Sequence, residues 1–285
     1  MAHEAASMVR PPVEINTLTV PLTESGLGAN CQMCSMFSGD PNRPLEAEEL
    51  AEYLDQLQSI YGPACQSVDR IFLLGLDPFS LPTATFVELL EVINEFLPNL
   101  RVITAYADIE SIKSKSDAEL AQLAKLHVDQ IYVGVESAID EIKNKLYSGL
   151  SVAETKQQLL ALNEAGITHR DMFLLGAGGQ GHAQESAEAT ARFINATKPD
   201  MVFFTSMTRM PSDGINPKTN TLTFIPAGKK EILLEEKAII QGITIPKVYF
   251  WAAHPLAPVR LEGKLEEEKK HMVAAIDEKI KELEN

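Results

Sequence analysis

The sequence predicts a parallel α/β fold, a full or partial (β/α) barrel, from three observations. Short apolar runs alternate with amphipathic helical stretches along the chain. Some runs are apolar on both faces, as in Arg70–Gly75 (RIFLLG), which suits strands covered by helices on each side. No Gly/Ser linker divides the 285 residues, so one domain over 1–285 is expected, with 13–210 as barrel core and 211–285 as C-terminal loop, helix and capping elements. Strands joined by helical crossovers run parallel.

The elements follow in order. Val13–Leu22 reads as the first strand. Glu46–Ile60 is a helix opened by Pro44 and acids that suit the positive end of its dipole. Arg70–Gly75 is the second strand, Thr83–Phe96 a helix with apolar spacing at Phe86, Leu89, Leu90 and Ile93, Arg101–Tyr106 a strand and Asp117–Lys125 a helix. Gln130–Val135 is the fourth strand. The helices Ile139–Leu146 and Val152–Ala165 follow, the second closed by Gly166. Asp171–Leu175 is a strand, Ala183–Thr197 a helix, Met201–Phe204 a strand and Lys229–Gln241 a helix. Lys247–Phe250 reads as a last strand and Leu265–Leu283 as a closing helix whose charges form a solvated face. Pro211–Gly228 is rich in Asn, Pro, Gly and Thr, and reads as a surface loop or a lid.

Composition narrows the function. No run of 18 uncharged apolar residues appears, and Met1–Val13 lacks the layout of a signal peptide, so a cytoplasmic protein without membrane attachment is expected. Net charge is -15, from 40 acids against 25 bases, which opposes a nucleic-acid footprint. Three cysteines, Cys31, Cys34 and Cys65, do not make a disulfide framework.

Parallel barrels work at the C-terminal ends of their strands. Four groups fall there: Cys31 and Cys34 after strand one, Gly75-Leu76-Asp77-Pro78 after strand two, Gly134-Val135-Glu136-Ser137 after strand four, and Gly176-Ala177-Gly178-Gly179-Gln180-Gly181 after strand five. A C-x-x-C turn lets two thiolates hold neighbouring irons, but the pair alone also fits half a zinc site, a redox pair or two buried thiols. The glycines either bring free backbone N–H groups to an anion or make a tight turn at positive φ. Glu136 reads as a solvent-exposed acid or as a ligand to sugar hydroxyls. Asp77 precedes Pro78 and also fits turn geometry.

Taken together, the stretches TESGLGANCQMCSMF, IFLLGLDPFSLP, ITAYADIESIKSKSDAEL, IYVGVESAIDEI, LNEAGI, FLLGAGGQG and ESAEATARFINATKPD resemble the radical S-adenosylmethionine (SAM) superfamily, from about Leu18 to Leu283. The resemblance implies a partial barrel of the radical SAM type. It implies a [4Fe–4S] cluster, a bound SAM that is reductively cleaved to a 5′-deoxyadenosyl radical, and an electron donor such as a flavodoxin or ferredoxin. Matched residue by residue, Cys31 and Cys34 are the second and third cluster ligands. Asp77 lies near the SAM amino group, Glu136 near the ribose, and Gly176, Gly178 and Gly179 beside the SAM.

Three departures stand out. The first cluster cysteine is missing, its place held by Gly26 or Leu27; Met33 replaces an aromatic residue; the strand-two motif lacks a double glycine. Cys65 precedes strand two, so a strand of roughly 20 Å separates it from the loop, and it is expected to be a buried structural thiol. Asp40, Asp77, a small-molecule thiol or a partner's cysteine would have to complete the set. Three readings stay open: a radical SAM enzyme with an atypical cluster, a degenerate member with a binding or scaffold role, and a barrel with a C-x-x-C metal or redox pair. The expected substrate is a small molecule or a peptide, with Tyr106, Arg209 and His254 as candidate lining residues.

Overall fold

The computed structural model describes residues 10–22, 44–74, 77–146, 149–207, 215–216, 221–222, 224–255 and 257–284. The chain folds into two compact units, one of residues 1–133 and 161–168, the other of 134–160 and 169–285.

The first unit carries β1 (Leu18–Pro21), β2 (Arg70–Leu74), β3 (Val102–Ala107) and the start of β4 (Val128–Glu136). They are parallel and lie side by side in chain order, with Leu18 opposite Ile71, Arg70 opposite Val102, and Thr104 opposite Gln130. The crossovers are helical, as parallel pairing requires: α1 (Ala47–Tyr61), α2 (Thr83–Phe96), α3 (Ile109–Lys113) and α4 (Asp117–Lys125). Their starts are written in sequence. Ser116 and Glu119 exchange the two bonds of a capping box at α4, and Glu46 with Glu49 does the same at α1. Apolar positions at helical spacing, Phe86, Leu89, Leu90 and Ile93, bury one face of α2 completely or nearly so.

The first strand is shorter than the sequence reading of Val13–Leu22. Residues Pro12–Glu14 form a 3-10 turn instead. Pro11 and Pro12 offer no amide to a sheet ladder. Glu14 points inward and accepts from Arg70, from the Thr17 hydroxyl at 2.7 Å and from the Tyr132 hydroxyl at 2.7 Å. Burial alone would raise this carboxyl; the bonds from Arg70, Tyr132 and Thr17 outweigh it and hold the pKa below the usual value.

The second unit carries the end of β4, then β5 (Thr168–Leu175), β6 (Met201–Ser206), a two-stranded ribbon of β7 (Ile215–Asn216) and β8 (Thr221–Leu222), β9 (Tyr249–Ala252) and β10 (Leu261–Lys264). β5 pairs parallel with β6, and β6 with β9. Its helices are α5 (Asp140–Leu146), α6 (Val152–Ala165, shared with the first unit), α7 (Ala183–Thr197), α8 (Lys229–Gly242) and α9 (Leu265–Glu284). Phe173, Phe204 and Phe250 stack across three strands, with centroids 5.5 and 5.0 Å apart. Gly166 closes α6 at φ 83, as read from sequence.

β10 was not foreseen. It runs antiparallel to β9, Leu261 opposite Ala252. The connection between them is too short for a helical crossover, so only an antiparallel return is open to the chain. No helix among the described residues is long and apolar enough to cross a membrane.

Candidate functional site

β4 ends at Glu136, and the chain leaves the sheet there at φ 64, in the left-handed region that a glutamate seldom occupies. The carboxylate folds back over its own strand: a Cβ on Gly134 would lie 2.8 Å from Glu136 Oε1. Glycine at 134 therefore makes the space in which this acid sits. Burial pushes the Glu136 carboxyl up to about 7, against the pull of the Lys143 ammonium. Lys143 lies on α5 and is itself only 4% exposed. A carboxylate poised near neutrality, with a cation close by, is equipped to accept hydrogen bonds from neutral hydroxyls.

The strand-five turn is built on three left-handed glycines, Gly176 (φ 75), Gly179 (φ 77) and Gly181 (φ 87). These need glycine for the backbone alone. Crowding adds to the requirement. A Cβ on Gly179 would meet the Ile225 carbonyl oxygen at 2.7 Å, and one on Gly178 would meet the His182 Cβ at 2.7 Å and Ile142 at 3.1 Å. The amides of the turn do not all face outward. Gly176 donates to Glu235 Oε2 at 2.8 Å, Gln180 to the Ile225 carbonyl at 2.8 Å, Gly179 to the Gly176 carbonyl at 2.9 Å, and Gly181 to Glu231 Oε1. The amides of Gly176, Gly179, Gln180 and Gly181 are thus taken up within the protein, two of them by carboxylates of α8.

α5 links the two features. Ile142, with Leu146, Leu174, Ala177 and Met207, forms an apolar cluster beneath the turn, while Lys143 on the same helix bears on Glu136. Glu136, Gly176, Gly178 and Gly179 therefore fall in one compact unit at the ends of β4 and β5.

Asp77 belongs to the first unit, just after β2. Its Oδ1 accepts from the Phe79 amide at 3.0 Å and caps the 3-10 turn Pro78–Ser80. Burial lifts its pKa to about 6, partly offset by bonds involving Ser111 and the backbone of Asp108 and Phe79. Tyr106 packs with Phe72 and Tyr132, centroids 5.5 and 5.7 Å away, and burial raises its phenol. His254 is partly exposed, and its carbonyl closes a turn with the Ala257 amide at 2.9 Å. Cys65 is buried, its Sγ 3.7 Å from the Leu57 carbonyl, in the structural role expected of it. Gly26, Leu27, Cys31, Met33, Cys34, Asp40, Leu76 and Arg209 lie outside the described residues. Among the described residues no group of three His, Cys, Asp or Glu could hold a metal ion.

Sequence reading missed Lys143, Glu231, Glu235 and Glu236. The last two had a signal: they stand on the same helical stripe as Ile232, Leu233, Ile239 and Ile240, all buried. Glu236 is 1% exposed and its Oε1 has no hydrogen-bond partner among the described residues.

Comparison with known proteins adds the following. Residues 28–194, more than half of the chain, match the family model described as the radical SAM superfamily. That stretch holds Cys31, Cys34, Asp77, Glu136 and the strand-five glycines. No curated protein matches the chain. Among solved structures, a methylornithine synthase is similar at 20% identity and TM-score 0.52, over 86% of this chain and 69% of its own. The radical SAM methyltransferase TsrM from Kitasatospora setae, solved with cobalamin and a [4Fe–4S] cluster, is similar at 17% identity and TM-score 0.53, over 70% and 36%. The FeFe-hydrogenase maturase HydG from Carboxydothermus hydrogenoformans gives 14% and 0.52, over 91% and 56%. At these identities the likeness shows the fold, the α/β partial-barrel type predicted from sequence. The chain spans about half or less of the last two proteins' length.

Proposed function

This chain belongs to the radical SAM superfamily, and from that premise we infer that it binds SAM and an iron–sulfur cluster and acts by radical chemistry on a small molecule or peptide in the cytoplasm. When bound, the reduced cluster and SAM would supply a 5′-deoxyadenosyl radical able to abstract hydrogen. Cys31 and Cys34 would hold two irons of the cluster.

The observation that carries the reading is the Glu136 carboxylate over Gly134. Its position at the end of β4, its partial shielding and its freedom from side-chain hydrogen bonds among the described residues suit an acceptor for the ribose hydroxyls of SAM. Desolvation by the ligand would raise this acid further unless those hydroxyls donate to it, so binding and ionisation favour each other. The buried apolar cluster of Ile142, Leu174, Ala177 and Met207 beneath the glycine turn gives that turn a packed base. The Lys143 ammonium favours the ionised form of Glu136, the form that accepts hydrogen bonds at both oxygens. A low-potential electron-transfer protein would supply the electron.

A second reading, a degenerate member without radical chemistry, has one observation in its favour: Gly26 or Leu27 stands where a third thiolate is needed. The two readings separate on product. Anaerobically reconstituted protein given SAM and dithionite is expected to release 5′-deoxyadenosine. Cluster assembly without that product would leave the binding role, and absence of both cluster and SAM binding would sink the first reading.

A further inference from the structure

We propose that Glu231 and Glu235 of α8 are positioning residues for SAM, holding the strand-five turn from behind in the shape the cofactor meets. The proposal rests on the radical SAM reading above.

Two carboxylates four residues apart reach two amides five residues apart: Glu235 takes the Gly176 amide at 2.8 Å and Glu231 the Gly181 amide. One turn of helix separates the acids, so they lie on one face of α8. Their bonds bracket Ala177–Gly178–Gly179–Gln180 at both ends. The space behind the turn is shaped for this approach. A Cβ on Gly176 would come within 3.3 Å of Ile232 and 3.4 Å of Ala227, and Ile225 holds the Gln180 amide at 2.8 Å.

Glu235 is an expensive residue for a merely structural contact. It is 4% exposed and no cation among the described residues offsets its charge. Burial pushes it up to about 7, the Gly176 amide draws it down, and Glu231 pushes it up again. Glu236 beside it is buried as well. A leucine in place of Glu235 would continue the stripe of Ile232 and Ile239 without that desolvation cost. Three glycines at positive φ give the turn conformational freedom, which the two carboxylates help to restrict. A ligand that met an unrestrained turn would have to order it on binding, at a cost in affinity.

This predicts that stability and SAM affinity move in opposite directions. In Glu235→Leu, the apo protein is expected to melt at or above the wild-type temperature, while the reconstituted protein binds SAM at least tenfold more weakly by equilibrium dialysis. Glu235→Gln keeps an acceptor for the Gly176 amide and is expected to bind within about threefold of wild type. Should Glu235→Leu fail to fold, Glu231→Ala at the exposed end decides, with a several-fold loss expected. Wild-type SAM affinity in both Glu235→Leu and Glu231→Ala would overturn the proposal and leave the radical SAM reading standing. Wild-type protein that takes up no SAM would overturn both.

Discussion

A methyl group on Gly134 would stand 2.8 Å from Oε1 of Glu136, two residues along the same strand. The glycine is thus there for the acid's side chain and not for its own backbone, since its φ is not in the left-handed region. This ties a small residue in the middle of a GVES motif to the charge at its end.

Gly134→Ala is accordingly expected to push the Glu136 carboxylate out of its rest position while leaving the fold intact. The cost of a displaced rotamer is about 1 kcal/mol, which at the ligand corresponds to roughly a fivefold loss of SAM affinity. Equilibrium dialysis on reconstituted protein measures it. Unchanged affinity would show that Glu136 does not touch the ligand.

The buried acids of the second unit set a pH dependence of stability. Glu136 and Glu235 are raised to about 7 and Glu236 to about 8, all by burial, from an ordinary value of 4.5. Between the ordinary and the raised values the folded protein holds protons that the unfolded chain has released, so stability falls as pH rises through that window. His169 adds to the trend: burial would lower it, but the charge and bond of Asp171 and the bond to the Thr197 carbonyl raise it. The apo protein should melt a few degrees lower at pH 9 than at pH 6. Glu236→Gln should shrink this drop and melt above wild type at pH 9. A flat profile in the wild type, followed by calorimetry, would contradict the assignment.

Cys65 is packed in the 3-10 turn Gly62–Ser67 with its Sγ toward the Leu57 carbonyl. Cys65→Ala is expected to cost about 1 kcal/mol of stability and to leave iron and sulfide content after reconstitution unchanged. A loss of iron in this variant, seen by colorimetric analysis, would make Cys65 a ligand after all.

The helices were the most legible part of the chain. Thr83–Phe96, Asp117–Lys125, Val152–Ala165 and Ala183–Thr197 stand where apolar spacing and end signals put them, because a 3.6-residue stripe and its caps are local properties. The N-terminal strand was read too long because Glu14 looks like one more strand residue until Arg70, 56 positions away, is seen to hold it. β10 was hidden because four residues of LEGK carry no alternation to speak of. At the candidate site, Glu136 and the strand-five glycines were legible as motif positions. The carboxylates that fill the back of the turn were not. Acids in a charged helix read as a solvated face, and only their place among Ile232, Leu233, Ile239 and Ile240 tells otherwise. Similarly, His169 and Asp171 alternate on one face of β5 and pair at 2.7 Å, fully buried, which nothing in their types alone announced.

The most direct test of the central claim is electron paramagnetic resonance of the anaerobically reconstituted, dithionite-reduced protein, recorded with and without SAM. A [4Fe–4S] signal whose g-values shift when SAM is added is the predicted result, since an iron without a thiolate is open to the ligand. No cluster signal, or a signal indifferent to SAM, would contradict it.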